Sequence, residues 1–377
     1  MGPRVVVAGG HSAGHIEPAM NFADALRRLE PAAEITALGT VRGLDTTLIP
    51  ARGYPLELIP PVPLPRKLNR AFVQTPGRLR DSVLAAGAVL DRVRAEVVVG
   101  FGGYVAAPAY IAARKRGLPI VIHEANARPG VANRLASRMT TYVFTAAPSV
   151  RLAHGTAIGI PLRPAITGLD RTALRDAARR RFGLRSDGPV LMVTGGSQGA
   201  RAINAAVSGA AVALRAAGVQ VLHIVGPQHV VKVPDVAATD PPYVVVPYVD
   251  EMQYAYAAAD FVICRSGAMT CAELAAVGLP AAYVPLPLRG GEQRLNAEPV
   301  VAAGGALLVD NADLDPAWIE TTLIPVLTDP ERIAAMSAHA SAAGAPDADV
   351  VLARHVLTAV AERRRLTHGL PDVGSDR

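Results

Sequence analysis

The side chains able to do chemistry gather in short polar segments that follow apolar runs. Gly9-Gly10-His11-Ser12-Ala13-Gly14-His15 follows Val5-Val6-Val7-Ala8, and His123-Glu124-Ala125-Asn126 follows Ile120-Val121-Ile122. An imidazole titrates near neutrality and suits proton transfer at His15. A buried structural histidine is the plain alternative there, and turn or helix-cap chemistry the plain alternative for Asn126. Gly100-Phe101-Gly102-Gly103-Tyr104 is a third segment of this kind.

Two more segments look made for an anion. Gly195-Gly196-Ser197-Gln198-Gly199-Ala200-Arg201 stands between Val190–Thr194 and an alanine-rich helical stretch. Free backbone N–H groups and the helix dipole there suit a diphosphate. Cys264-Arg265-Ser266-Gly267-Ala268-Met269-Thr270-Cys271-Ala272-Glu273 repeats the plan, and its Glu273 can bridge two vicinal ribose hydroxyls or merely complement the dipole. Glu292-Gln293-Arg294-Leu295-Asn296, after Pro285-Leu286-Pro287, reads as a loop of sugar-hydroxyl ligands. A nicotinamide site is disfavoured: the second strand ends Leu38-Gly39-Thr40, with no acid to hold a ribose. The 195–201 loop lacks the Lys-Ser/Thr of a P-loop, which argues against ATP hydrolysis.

Elements of alternating type must position these segments. Arg4–Ala8, Ile35–Leu38, Val97–Val99, Ile120–His123 and Tyr142–Thr145 read as strands, with helices between most of them, as at Ala19–Leu29. Pro18 suits the first turn of that helix. Val190–Thr194, Val221–Ile224, Tyr243–Val246, Phe261–Ile263 and Ala282–Val284 are the strands of a second half, with helices at Ala202–Ala217, Met252–Ala258 and Met269–Ala276. Near-continuous Val/Ile/Leu strands flanked by helices imply an α/β fold with two doubly wound parallel sheets. Their strand ends are expected to face a shared cleft. The proline-bearing segment 159–164 separates the halves. We expect one domain over 1–163 plus 347–366, a second over 164–346, a last helix at Val350–Leu366, and a disordered tail at 367–377.

At roughly 150 residues per domain, 377 residues suit two domains. No apolar run reaches the ~20 residues of a membrane-spanning helix, and the first strand is no signal peptide, so a cytoplasmic chain is expected. Cys264 and Cys271 are the only cysteines and read as packed, reduced thiols; no Cys/His spacing suggests a metal. The formal charge of +6 comes from arginine, since the lysines are Lys67, Lys115 and Lys232 alone. Scarce aromatics and the absence of a recognition-helix signature argue against nucleic acid as a partner.

In order and spacing, the motifs His123–Asn126, Gly195–Arg201, Cys264–Glu273 and Gln293 with Asn296 resemble the MurG family, within glycosyltransferase family 28. The resemblance runs from about residue 4 to 360. It implies the GT-B fold, with the final helix packing back on the first domain. It also implies inverting transfer of GlcNAc from UDP-GlcNAc to the MurNAc 4-hydroxyl of lipid I (undecaprenyl-diphosphoryl-MurNAc-pentapeptide), giving the β-1,4 bond of lipid II. On this resemblance Ser12, Ala13 and Gly14 form a loop of the donor site, and Asn126 reaches the GlcNAc. Arg163 and Ser197 serve UDP, and the backbone of Val249 holds uracil. Ala268, Met269, Thr270 and Glu273 take phosphate and ribose, and Gln293 takes the sugar. His15 is the first choice of general base, with Glu124 as its alternative or its orienting partner. Tyr104, Gln198 and Asn296 are further cleft residues. Neither a metal nor a bound cofactor is implied, and the strand-end motifs contain no DxD pair. Five positions depart from the family pattern: Ser12 and Ala13, where Ser12-Ala13-Gly14 replaces Thr-Gly-Gly, His11, which stands where glycine is frequent, Ile160, which replaces asparagine, and Glu292, which replaces glutamine.

A lipid acceptor calls for a membrane contact. Pro60–Arg80 mixes apolar side chains with cations, and Arg66, Lys67, Arg70 and Phe72 are the candidates for contact with an anionic inner leaflet. The expectation is a peripheral protein on the cytoplasmic face, with cell-wall synthesis or division proteins as further partners. The rivals are a GT-B transferase for another acceptor, a UDP-GlcNAc epimerase on the same fold, and a non-catalytic nucleotide-sugar binder.

Overall fold

The structure is a computed structural model that describes residues 2–62, 70–234, 237, 239–287 and 290–368, with the backbone alone at 70–75 and 368. The chain forms two compact units, Met1–Leu162 with Pro346–Arg377, and Arg163–Ala345. In chain order the first contains β1 (Arg4–Gly9), α1 (Ala13–Leu29), β2 (Glu34–Gly39), α2 (Asp45–Ala51), β3 (Leu56–Leu58), α3 (Arg70–Arg92), β4 (Val97–Gly102), α4 (Ala106–Lys115), β5 (Ile120–Glu124), α5 (Val131–Ala136), β6 (Val143–Thr145) and β7 (Gly155–Ala157). The second runs α6 (Pro164–Thr167), α7 (Arg171–Arg181), β8 (Val190–Thr194), α8 (Arg201–Gly209), α9 (Ala211–Ala216), β9 (Gln220–Ile224), β10 (Tyr243–Val246), α10 (Met252–Ala258) and β11 (Phe261–Cys264). It continues with α11 (Ala268–Ala276), β12 (Ala281–Tyr283), α12 (Glu292–Ala302), β13 (Ala306–Leu308), α13 (Pro316–Trp318), a π-helical turn (Ile319–Leu323), α14 (Ile324–Leu327) and α15 (Pro330–Ala342). The chain then returns to the first unit as α16 (Ala348–His368).

Among the described residues the first sheet has seven strands in the order β3-β2-β1-β4-β5-β6-β7, the second six in the order β10-β9-β8-β11-β12-β13, and all their pairings are parallel. Strand order therefore reverses between β1 and β4, and again between β8 and β11. Such switch points open a crevice at the carboxyl ends of the strands. The four loops leaving those strands are the ones that begin at Gly10, Gly103, Gly195 and Arg265.

Alternation along the strands explains why both faces of the first sheet are covered. Val5, Val7, Val97 and Val99 pack under α1 and α16, meeting Phe22, Leu26, Leu352 and Val356. Val6, Ala8, Val98 and Ile122 face the other way, under α3 and α4, meeting Val83, Leu90, Ala109 and Tyr110. The final helix thus belongs to the first core. Burying each such Val or Leu contributes about 1.5–3 kcal/mol. In the second unit Leu191, Val193, Phe261 and Ile263 pack against Ile203, Val207, Leu323 and Met336.

Several expected boundaries move. β3, β7 and β13 have three residues each, too short for a periodic signal. Helix α1 begins at Ala13, so Pro18 lies in its interior, where its ring cannot donate to the Gly14 carbonyl. The expected helix 202–217 breaks into α8 and α9 around Ala210. There a Cβ on Gly209 would stand 2.7 Å from Pro316. Glu292–Asn296 opens α12 instead of forming a loop, because the turn is completed earlier, at Gly290 and Gly291, both with positive φ. Helix α16 runs on to His368; the remaining tail, 369–377, lies outside the described residues.

Candidate active site

In the first unit the loop after β1 wraps His15 into the start of α1. Ser12 is the N-cap, with extended backbone (φ −127°, ψ 154°), yet its hydroxyl does not cap the helix. It lies 3.1 Å from His15 Nδ1 instead. Ser12 O accepts the N–H groups of His15 and Ile16, which leaves those of Ala13 and Gly14 free of intrahelical partners. The His15 ring rests on Gly102: a Cβ there would stand 3.1–3.2 Å from Cδ2 and Nε2, and φ of +92° already favours glycine. Burial lowers the pKa of His15, with the Gly10 backbone opposing, His11 lowering it further and Asp45 raising it. The net effect favours the neutral imidazole, the form a general base requires.

His11 explains why its position favours glycine, since its φ is +77°. Holding a non-glycine residue there costs about 1–2 kcal/mol. Its ring meets Tyr104 edge-on at 4.9 Å, so this departure from the family pattern gains an aromatic contact. Tyr104 is itself 38% exposed.

Glu124 ends β5 and is buried. Its carboxylate accepts the N–H groups of Asn126 (3.0 Å) and Gly130 (2.9 Å) and the amide of Asn133 (3.0 Å). Desolvation raises its pKa above 4.5 against those hydrogen bonds. Asn133 also accepts from the Tyr110 hydroxyl at 2.7 Å. No hydrogen bond joins Glu124 to His15. The geometry makes Glu124 the anchor of the turn that carries Asn126, which is half-buried. His123 points into the core, its Nε2–H donating to Gly159 O (2.8 Å), and burial lowers its pKa to about 4.

In the second unit the loop after β8 leaves Ser197 and Gln198 exposed. Gly199 closes it with φ of +76°, where a Cβ would strike Val225 O at 2.2 Å. Helix α8 follows with Ala200 as N-cap, and α11 with Gly267; neither has a side-chain cap. By contrast α7, α13 and α15 are capped by Asp170, Asp315 and Asp329. The N–H groups of Ala268, Met269 and Thr270 therefore keep their capacity for an anion. Glu273 lies beyond the first turn of α11, too deep to act mainly through the dipole. Its Oε2 accepts from the Tyr256 hydroxyl at 2.7 Å.

The remaining donor residues flank these helices. Gln293 Oε1 accepts from Leu286 N (2.8 Å), and Asn296 donates to Ser266 O (3.1 Å), tying α12 to both neighbouring loops. Ser266 Oγ is buried and unpartnered among the described residues. The exposed Arg163 is N-cap of α6. Val249 sits after β10, and no hydrogen bond engages its backbone among the described residues. Ile160 is 4% exposed, so its departure from asparagine is absorbed by the core. Arg66 and Lys67 lie outside the described residues, and Arg70 and Phe72 stand in the first turn of α3. Among the described residues no group of three or more His, Cys, Asp or Glu could hold a metal, and no helix is long and apolar enough to cross a membrane. Cys264 and Cys271 are free and buried.

Sequence reasoning missed Asp45, Asn133, Tyr110 and Tyr256. An acid was sought at the end of β2 only as a ribose ligand; Asp45, a few residues on, bonds to backbone instead. Asn133 and Tyr256 reach Glu124 and Glu273 across 9 and 17 residues, and Tyr110 reaches Asn133 across 23, separations that no helix or strand period signals.

The family model for the glycosyltransferase family 28 N-terminal domain matches residues 5–145, and that for its C-terminal domain matches 190–352. A Thermobifida fusca protein named UDP-N-acetylglucosamine--N-acetylmuramyl-(pentapeptide) pyrophosphoryl-undecaprenol N-acetylglucosamine transferase is 56% identical over 368 residues, 98% of this chain and 97% of that one. The Mycolicibacterium smegmatis protein of the same name is 57% identical over 352 residues, 92% and 91% of the two chains. Among solved structures, Acinetobacter baumannii MurG superposes with a TM-score of 0.77 at 26% identity, covering 96% of this chain and 100% of that one. A Neisseria meningitidis UDP-GlcNAc 2-epimerase bound to UDP-GlcNAc shares the fold alone, with a TM-score of 0.66 at 14% identity over 94% and 100% of the chains. Two parallel-sheet units, each with its loops at a switch point, define the GT-B fold, and the family models make this example a glycosyltransferase. The chain belongs to glycosyltransferase family 28.

Proposed function

We propose that this enzyme transfers GlcNAc from UDP-GlcNAc to the 4-hydroxyl of the MurNAc of lipid I, with inversion, and so makes the β-1,4 bond of lipid II. The observation that carries this is the 56% identity, over nearly the full length of both chains, to a transferase named for that donor and acceptor. In this reading the unit Met1–Leu162 with α16 takes the acceptor and meets the cytoplasmic face of an anionic membrane, and Arg163–Ala345 takes the donor.

His15 is the general base. Its neutral imidazole is held beside Gly102, with Ser12 at Nδ1 and the Gly10 backbone orienting the ring, to take the proton of the acceptor hydroxyl. Glu124 positions Asn126 for the sugar instead of removing a proton. The uncapped starts of α8 and α11, with Arg163, stabilise the charge that develops on departing UDP. Glu273 takes the ribose hydroxyls, the free backbone of Val249 the uracil, and Gln293 the GlcNAc through the amide nitrogen that Leu286 leaves open. The donor is a substrate, and the reaction so written uses no resident cofactor.

Incubation with UDP-GlcNAc, with and without a lipid I analogue, tests this. UDP release that requires the analogue, with a disaccharide product, is the expected result. Conversion of UDP-GlcNAc alone would instead mark an epimerase, and binding without turnover a non-catalytic protein.

A further inference from the structure

The loop carrying His15 is held by a residue outside it. Asp45, the first residue of α2, is fully buried, and its carboxylate accepts the N–H groups of Thr40 (2.7 Å) and His11 (2.5 Å). The Thr40 hydroxyl lies 3.3 Å from the same oxygen that takes its N–H. Space is left for this carboxylate: a Cβ on Gly10 would stand 2.9 Å from Oδ2, and one on Gly39 would stand 3.0 Å from Asp45 Cβ. One residue earlier, Leu44 donates its N–H to the His11 carbonyl at 3.3 Å. The segment Gly39–Asp45 therefore grips His11 at both its N–H and its C=O, in a left-handed conformation that glycine alone adopts freely. Among the described residues no cation pairs with Asp45. A buried carboxylate is costly unless hydrogen-bonded, and this one is bonded to the backbone of the catalytic loop.

We propose that Asp45 is a positioning residue for the transfer reaction: its carboxylate fixes the Gly9–His15 turn in the conformation that sets His15 beside Gly102. This rests on the proposed role of the His15 loop in transfer. In Asp45→Asn one acceptor oxygen becomes an N–H₂ donor facing a backbone N–H, so the grip on His11 or on Thr40 is lost.

The experiment is a double-mutant cycle of Asp45→Asn with His11→Gly, read as kcat with UDP-GlcNAc and a lipid I analogue. Asp45→Asn should lower kcat by about 10–100-fold, the scale of an ångström-level misplacement. Its UDP-GlcNAc affinity, measured by calorimetry, should fall by a smaller factor than kcat, since the turn supplies only part of the donor site, whose UDP contacts are assigned to the other unit. In the His11→Gly background the turn needs less restraint, so the same substitution should cost under about threefold. A parental kcat for Asp45→Asn, or an equal loss in both backgrounds, overturns the proposal. Amide hydrogen exchange across residues 9–15 needs no turnover and separates this question from the reaction itself. Faster exchange in Asp45→Asn is expected, and unchanged protection overturns the proposal whatever the chemistry. If Asp45→Asn does not fold, Gly10→Ala takes its place in the exchange measurement, because the added methyl pushes on the carboxylate without removing it. His15→Ala, run in parallel, addresses the base assignment alone.

Discussion

Below the switch point of the first sheet stands Glu96, just before β4; below that of the second stands Asp260, just before β11. Glu96 accepts the Arg4 N–H at the foot of β1 (2.9 Å), and Asp260 the Val190 N–H at the foot of β8 (2.8 Å). Each is paired with arginine from a helix, but the sources differ. Arg175 and Arg179 come from α7, at the entry to the second unit, at 2.7 and 2.8 Å. Arg364 comes from α16, at the far end of the chain, 2.7 Å from Glu96. The first unit thus borrows its clasp from the last helix, whereas the second builds its own. At the opposite, carboxyl ends of the strands the units diverge in chemistry. The first places His15 and the buried Glu124 beside its switch point; the second places uncapped helix starts, the exposed Ser197 and a carboxylate held by tyrosine. In the proposed reading the same framework serves proton transfer in one unit and anion binding in the other, and only the loops decide which.

The strongest way to break that division is His15→Ala. Turnover should fall by about 10²–10⁴-fold, the usual contribution of an acid–base group. Calorimetric UDP-GlcNAc affinity should stay largely intact, because the UDP contacts are assigned to the other unit and His15 is assigned to the acceptor proton. Since burial lowers the pKa of His15, the acid limb of the parental kcat/KM profile should fall below pH 6.5 and vanish in the variant. Turnover within a few-fold of the parent would remove His15 as the base.

Glu273→Gln tests the second unit. The amide is a weaker acceptor than a carboxylate, so the Kd for UDP-GlcNAc should rise by about 10–100-fold, as expected for a lost charged hydrogen bond. Saturating kcat should stay near the parental value. An unchanged Kd would refute the ribose role.

Glu96→Gln probes the borrowed clasp. Burial acts to raise the pKa of Glu96, but the hydrogen bonds from Arg364 and the Arg4 N–H outweigh it and hold the carboxyl below its ordinary value of 4.5. A depressed carboxylate pKa stabilises the fold above the unfolded value, and that stability is lost as pH falls through the folded one. The variant should be less stable by about 1–3 kcal/mol in denaturant at pH 7. The gap should close as the pH is taken below 4.5. A gap independent of pH would mean that the charge of Glu96 contributes nothing.

The smallest effect belongs to Tyr256→Phe, which removes the hydroxyl that holds Glu273. The ribose contacts of the carboxylate survive this change and only its orientation is loosened, so the Kd for UDP-GlcNAc should rise by roughly several-fold. A loss as large as that of Glu273→Gln would mean that orientation, not charge, dominates ribose binding.

Local pattern was enough for the long strands and for the motifs at their ends. Val5–Ala8, Ile120–Ile122 and Val190–Thr194 are buried on both faces, and nothing but a covered parallel sheet accepts such runs. Glycine turns after strands also placed the loops before α8 and α11, whose starts carry no side-chain cap. Sequence also flagged His11 as out of place. It could not say that His11 would stand at φ +77°, gripped by Asp45 and facing Tyr104. Nor could it say that Glu124 would spend both oxygens on its own turn, or that Tyr256 would hold Glu273. Periodicity and turn chemistry act over a few residues and are written in the chain. The direction of a buried side chain depends on the hydrogen-bond partners that packing brings to it from elsewhere, and only the tertiary structure supplies those.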